Sequence, residues 1–108
     1  MNNTIEKSNT GLTEKEKEAI IKVFSKYPEI EKVILYGSRA MGNFKPASDI
    51  DLSLVGDGVS LSLLSKIETD LDDLLLPYKF DISIYNKITN PEFLDHINGV
   101  GKSIYTSN

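Results

Sequence analysis

The stretch Lys32–Val55, KVILYG-SRAMGNFKPAS-DIDLSLV, decides how this chain is read. It opens with Val33-Ile34-Leu35-Tyr36, a short run rich in β-branched residues that stops at Gly37 and so reads as a buried strand. Gly37 permits a turn that a Cβ would obstruct, and Ser38 suits the start of a helix. The spacing predicts one or two helical turns over Arg39–Phe44. A strand, a glycine corner and a helix start together aim backbone N–H groups at one spot, a seat for a phosphate. Ten residues after Ser38 comes Asp49-Ile50-Asp51-Leu52-Ser53-Leu54, alternating polar and apolar. On a strand, Asp49 and Asp51 share a face with Cα atoms roughly 6.5 Å apart, within reach of a shared pair of cations.

Working outward, the N-terminal residues 1–11 read as a mobile tail, and residues 12–108 as one domain. Thr13 offers an N-cap with Glu16 at the capping-box position, and Ala19, Ile20, Val23, Phe24 and Tyr27 recur at helical spacing. An amphipathic helix is expected over 13–26, ending at Pro28. Ser60–Leu76 reads as a second helix with Leu64, Ile67, Leu71, Leu74 and Leu75 as its stripe, stopped by Pro77. Lys79–Tyr85 alternates again, placing Asp81, Ser83 and Tyr85 opposite Phe80, Ile82 and Ile84. Asn90-Pro91 starts a last helix to about Asn98 with Gly99 as its cap, and Ile104-Tyr105 suits either a short edge strand or docking of the tail. The expected fold class is α/β: a small mixed sheet with helices packed mainly on one face, leaving the aspartate face open.

Composition narrows the function. Of 108 residues, 40 % are hydrophobic and 26 % charged, as in an ordinary globular domain. There is no cysteine, which removes disulfides, thiolate metal sites and a cysteine nucleophile. The net charge of −4 and a single arginine, Arg39, leave no basic stripe, so direct nucleic-acid binding is not expected. No run approaches the roughly 20 apolar residues of a membrane span, and no signal peptide is evident, so a cytoplasmic protein is expected. Neither a P-loop nor a G-x-G-x-x-G element is present. His96 is the sole histidine and reads as a helix-surface residue.

If the strand bearing Asp81 lies beside that bearing Asp51, the two carboxylates sit about 5 Å apart. Three carboxylates on one face repel one another unless a cation neutralises them, and an all-oxygen set suits Mg²⁺. The same pattern without the Gly37-Ser38 corner would be no more than a solvated sheet face. For Ser38 the alternatives are a phosphate contact or a plain helix cap. For Arg39 they are a fork to phosphate oxygens or a surface ion pair. Ser48 is a turn residue within reach of a phosphate, and Lys45 is either a weaker phosphate candidate or a solvated loop lysine.

The constellation G-S-x10-D-x-D, here Gly37-Ser38 and Asp49-Ile50-Asp51, resembles the signature of the DNA polymerase β-like nucleotidyltransferase superfamily. Its form G-S-R-A-x-G followed by S-D-I-D-L is most similar to the minimal nucleotidyltransferase (MNT) antitoxins of HEPN/MNT toxin–antitoxin pairs. The resemblance implies that Asp49 and Asp51 hold two Mg²⁺ ions and that Asp81 is the third carboxylate, helping to ligate the catalytic ion and accepting the proton of an attacking hydroxyl. It also implies that Gly37, Ser38, Arg39 and Ser48 bind the nucleotide, with ATP as substrate. The acceptor would be a tyrosine of a HEPN-type toxin, which AMP transfer would neutralise. Two rivals stand beside this: transfer to a small-molecule hydroxyl such as an aminoglycoside, and an antitoxin acting by binding alone. Arg39 and His96 lie too far apart for the toxins' own Arg-x4–6-His motif. Larger relatives carry a second domain, so a partner chain is expected to complete this site.

Overall fold

A computed structural model describes residues 10–107. Its helices are α1 (Glu14–Ser25), α2 (Ser38–Met41), α3 (Leu61–Asp72) and α4 (Pro91–Val100). The strands are β1 (Lys32–Tyr36), β2 (Ile50–Val55), β3 (Phe80–Ile84) and β4 (Lys102–Thr106), with a 3₁₀ turn at Tyr85–Lys87. The sheet order is β3-β2-β1-β4, in which β1 runs antiparallel to β2 and β4 while β2 and β3 are parallel. A parallel pair needs a crossover, and α3 supplies it. The mixed sheet of the expected α/β class is therefore what forms. The tail expected over 1–11 lies, for residues 1–9, outside the described residues; Thr10 is buried and Gly11 packs against Phe44 and Arg39.

The first core layer lies between the sheet and two helices. Thr13 caps α1 through a full capping box with Glu16, and Ile20, Val23 and Phe24 turn inward. Ser60 caps α3, whose Leu63, Ile67 and Leu71 are buried. They meet Val33, Leu35, Ile50, Leu52, Leu54 and Ile84 from the strands. At about 1.5–3 kcal/mol for each fully buried aliphatic side chain, this layer dominates folding.

The opposite face departs from expectation. Ile34 and Tyr36 of β1 form a second cluster with Ile97 of α4, flanked by Val55, Tyr85 and Phe93. The unbroken apolar run of β1 places large side chains on both faces, so both need cover. Thus α4 covers the β1 side, and the aspartate face is only partly open. Two helix ends also shift. The second expected helix ends at Asp72 with Asp73 as its cap, because Asp70, Asp72 and Asp73 crowd the negative end of the helix dipole. Leu75, expected in the stripe, is 88 % exposed at φ 56°. Gly101, not Gly99, follows the last turn of α4. Among the described residues no helix is long and apolar enough to cross a membrane.

Candidate active site

The site begins where β1 ends. Gly37 adopts φ 74° and ψ −157°, a conformation that L side chains rarely enter, and it serves as the N-cap of α2. Ser38 is then the first helical residue and caps nothing with its side chain. The helix-cap reading of Ser38 falls, and among the described residues its hydroxyl takes part in no hydrogen bond. A Cβ built on Gly37 would come 2.2 Å from Oδ2 of Asp51. The corner and the carboxylate are therefore in direct contact, and glycine alone leaves room for both.

The carboxylates follow from the register. Asp51 pairs with Tyr36 on one side and with Asp81 on the other. Parallel pairing of β2 and β3 thus sets Asp51 and Asp81 side by side on one face, as the alternation of the two strands requires. Asp49 lies one residue before β2 and is exposed, Asp51 is half-buried, and Asp81 is exposed. Burial pushes the Asp51 carboxyl above its ordinary value, and the charges of Asp81 and Asp49 push it the same way. His96 and Arg39 oppose that rise.

Below the carboxylates lies a hydroxyl layer. Ser53 is fully buried, and Ser83 donates to its Oγ across 3.1 Å. Tyr36 closes the layer: burial raises its phenol, a hydrogen bond with Ser83 lowers it, and Asp81 and Asp51 raise it further. The Tyr36 ring meets Phe93 edge-on at 5.5 Å and His96 at 6.0 Å, with an 87° angle to the histidine. His96 is half-buried and faces the site, not the outer helix surface expected for it. Its i, i+3 spacing from Phe93 sets it beside the packing side of α4 but does not name Tyr36 as its neighbour. Tyr36 was legible only as a strand residue.

Arg39 is the main correction among the expected nucleotide-binding residues. It is 1 % exposed, and its guanidinium is spent inside the protein. Nε and Nη2 donate to the Ser48 carbonyl at 3.2 and 2.9 Å, Nη2 also to Pro46 O at 3.2 Å, and Nη1 to Thr10 O at 2.9 Å. Four of the five N–H groups of the fork are thus committed to backbone carbonyls. Ser48 offers Arg39 its carbonyl, while its Oγ accepts the Lys45 backbone N–H at 2.8 Å, which holds it as a turn residue. Lys45 stays exposed.

Gly37, Ser38, Asp51 and Asp81 therefore come together, with Asp49 at the entrance of β2. Among the described residues no three His, Asp or Glu side chains close on a single cation position. The donor chemistry still fits a hard divalent ion that takes its other ligands from waters and phosphate oxygens. The donors are oxygen alone: burial first, and then the neighbouring charges of Asp81 and Asp49, hold the Asp51 carboxyl above its ordinary value.

Comparison with known proteins agrees with this geometry. The sequence profile of the family described as Polymerase beta, Nucleotidyltransferase matches residues 18–108. No curated protein matches the sequence. A solved toxin–antitoxin with AMP-PNP contains a chain similar to this one, with a TM-score of 0.69 and 18 % identity over 83 % of this chain and 73 % of that one. The tri-AMPylated Shewanella oneidensis HEPN toxin in complex with MNT antitoxin gives 0.63 and 16 %, over 84 % and 70 %. The toxin–antitoxin MntA-HepT gives 0.65 and 16 %, over 87 % and 73 %.

Proposed function

The chain belongs to the polymerase β family of nucleotidyltransferases, and from that premise we propose that it transfers AMP from ATP to a tyrosine hydroxyl of a HEPN-type toxin. On this reading it is the antitoxin of the pair. The observation that carries the reading is the register of Asp51 beside Asp81, with Gly37 against Asp51. Support for the acceptor comes from fold relatives described as toxin–antitoxin complexes, one with AMP-PNP and one with an AMPylated HEPN toxin.

The roles follow from position. The Gly37-Ser38 corner holds the terminal phosphates through backbone N–H groups and the free Ser38 hydroxyl. Asp49, Asp51 and Asp81 would hold two Mg²⁺ ions, which when bound neutralise the carboxylates and the departing pyrophosphate. Asp81, exposed on the edge strand, takes the proton of the acceptor hydroxyl. The acceptor oxygen bonds to the α-phosphorus as the bond to pyrophosphate breaks, an in-line displacement in which orientation supplies much of the rate. Keeping the acceptor oriented falls to the partner, because the exposed Asp81 edge offers little surface to grip it.

Intact-mass spectrometry tests this. The chain is co-expressed with a HEPN-type toxin, once as wild type and once as Asp81→Asn. The expected result is a partner heavier by one or more AMP units with wild type and unmodified with Asp81→Asn, although both form the complex. A partner unmodified in both cases, with toxicity suppressed in both, would make this protein an antitoxin by binding alone. Transfer to an aminoglycoside hydroxyl without any partner would favour the small-molecule reading.

A further inference from the structure

Arg39 is a buried charge that the chemistry does not use, and it is placed where the acidic site is assembled. Its side chain lies between two rings, with Cζ 5.2 Å from the Phe44 centroid and 4.7 Å from that of Tyr78. Four hydrogen bonds tie its guanidinium to the carbonyls of Thr10, Pro46 and Ser48. Ser48 directly precedes Asp49, and Tyr78 lies three residues before Asp81. Tyr78 in turn donates to Glu16 Oε1 at 3.0 Å, the same carboxylate oxygen that accepts the Thr13 N–H in the cap of α1. Arg39 itself follows Ser38 of the phosphate corner.

We propose that Arg39 is a positioning residue: it fixes the 43–49 loop, and with it Asp49, against the start of the domain at Thr10–Thr13. The physical reason is the fork. Backbone carbonyls at Thr10, Pro46 and Ser48 face one point from different directions, and only a planar group with five N–H donors satisfies them together. Lysine has the charge but not the plane. Beyond its first residue, where the Asn43 N–H donates to the Ser38 carbonyl, the hydrogen bonds of loop 43–49 other than those to Arg39 are local: Lys45 N–H to Ser48 Oγ and Ser48 N–H to the Lys45 carbonyl. Without the guanidinium the loop keeps its turn but loses its anchor, so Asp49 is no longer held beside Asp51. Gly11 belongs to the same device. At φ 80°, a Cβ there would stand 2.3 Å from the Phe44 ring and 2.7 Å from Nη1 of Arg39, so the chain entering α1 presses directly on the anchor.

The inference rests on the proposed transfer only for its activity arm. Three variants test it: Arg39→Lys, Gly11→Ala and the control Tyr78→Phe, which keeps the ring over Arg39 and loses only the Glu16 bond. Amide hydrogen exchange is followed at residues 45, 47, 48 and 49 and in β1 and β2 as an internal reference. Nucleotide affinity is measured by calorimetry in chelator, and transfer is measured with the partner and Mg²⁺. Arg39→Lys and Gly11→Ala are expected to speed loop exchange about tenfold or more with the strands unchanged. They lower turnover by a similar factor and leave metal-free nucleotide affinity within about twofold. Tyr78→Phe should leave all three readouts within about twofold. If Arg39→Lys does not fold, Gly11→Ala carries the test through the same exchange readout. Loop exchange unchanged in the folded variants overturns the proposal, and a weakened metal-free affinity with unchanged exchange makes Arg39 a phosphate ligand instead. If wild type shows no transfer, the proposed function falls, while the exchange data still decide the role of Arg39.

Discussion

Substituting Gly37 by alanine tests the link between the glycine corner and the carboxylate pair, and its cost can be worked from two separate terms. The first is backbone strain. At φ 74° and ψ −157°, an alanine occupies a region populated almost only by glycine, at a cost of about 1–3 kcal/mol. The second is contact. The new Cβ would stand 2.2 Å from Oδ2 of Asp51, 3.1 Å from its Cγ and 3.3 Å from its Cβ. Rotating the carboxylate alone relieves only the first of these, so Asp51 leaves its rotamer well, adding about 0.5–1.5 kcal/mol. The expected total is about 2–4 kcal/mol, or a fall in Tm on the order of 10–20 °C for a domain of this size. Turnover should fall further, because displacing a catalytic group by about 1 Å can cost 100-fold. Urea unfolding of Gly37→Ala, Asp51→Ala and the double variant separates the terms. In the Asp51→Ala background the strain remains and the carboxylate overlap is gone, so Gly37→Ala should cost about 1 kcal/mol less there. Equal costs in the two backgrounds, or a single variant within about 0.5 kcal/mol of wild type, would refute the contact argument.

Asp51→Asn should melt higher than wild type in chelator at neutral pH and abolish transfer. The carboxyl is raised in the folded state above 3.8, so wild-type stability falls as pH climbs through the folded value. The advantage of the amide should therefore vanish below about pH 4, and a gap that does not change with pH would contradict the cause given. Ser38→Ala should leave Tm unchanged, since the hydroxyl caps nothing, yet weaken Mg²⁺-nucleotide binding by about 1.5–3 kcal/mol; unchanged calorimetric affinity would remove Ser38 from the site. Leu75→Gly should stabilise the protein by about 0.5–1 kcal/mol, because Leu75 is 88 % exposed and sits at φ 56°, where a Cβ is strained. A lower urea midpoint for that variant would show that the leucine contributes to packing.

What the sequence made legible is what depends on spacing along one element. The β1 run, the glycine corner, the i, i+2 carboxylates and the alternation around Asp81 are all set by neighbours a few residues away. They led to the neighbouring strands and to the face the acids share. Arg39 was misread because its environment comes from elsewhere: Thr10 lies 29 residues before it, and Tyr78 arrives from the far side of α3. A lone arginine beside a phosphate corner looks the same in sequence whether its fork points out or in. His96 failed in a similar way, since its meaning depends on α4 docking over Tyr36, a contact that periodicity alone did not reveal. Leu75 fell outside the helix because acidic residues crowd its end, an electrostatic term that a hydrophobic stripe conceals.

The arrangement also gives the site a direction. On the β1 side the face is closed by α4 through Ile97, Phe93 and Tyr36, and the phosphate corner stands at the end of that same strand. On the other side β3 is the edge of the sheet and Asp81 is exposed. On the proposed reading a nucleotide seated at Gly37-Ser38 has its phosphates over β1 and β2. The acceptor hydroxyl can then approach only from the β3 edge, opposite the departing pyrophosphate, as in-line displacement requires. On that reading one sheet order, β3-β2-β1-β4, would separate the two substrates. On the proposed reading this leaves the acceptor side bare, the side that a partner protein would cover.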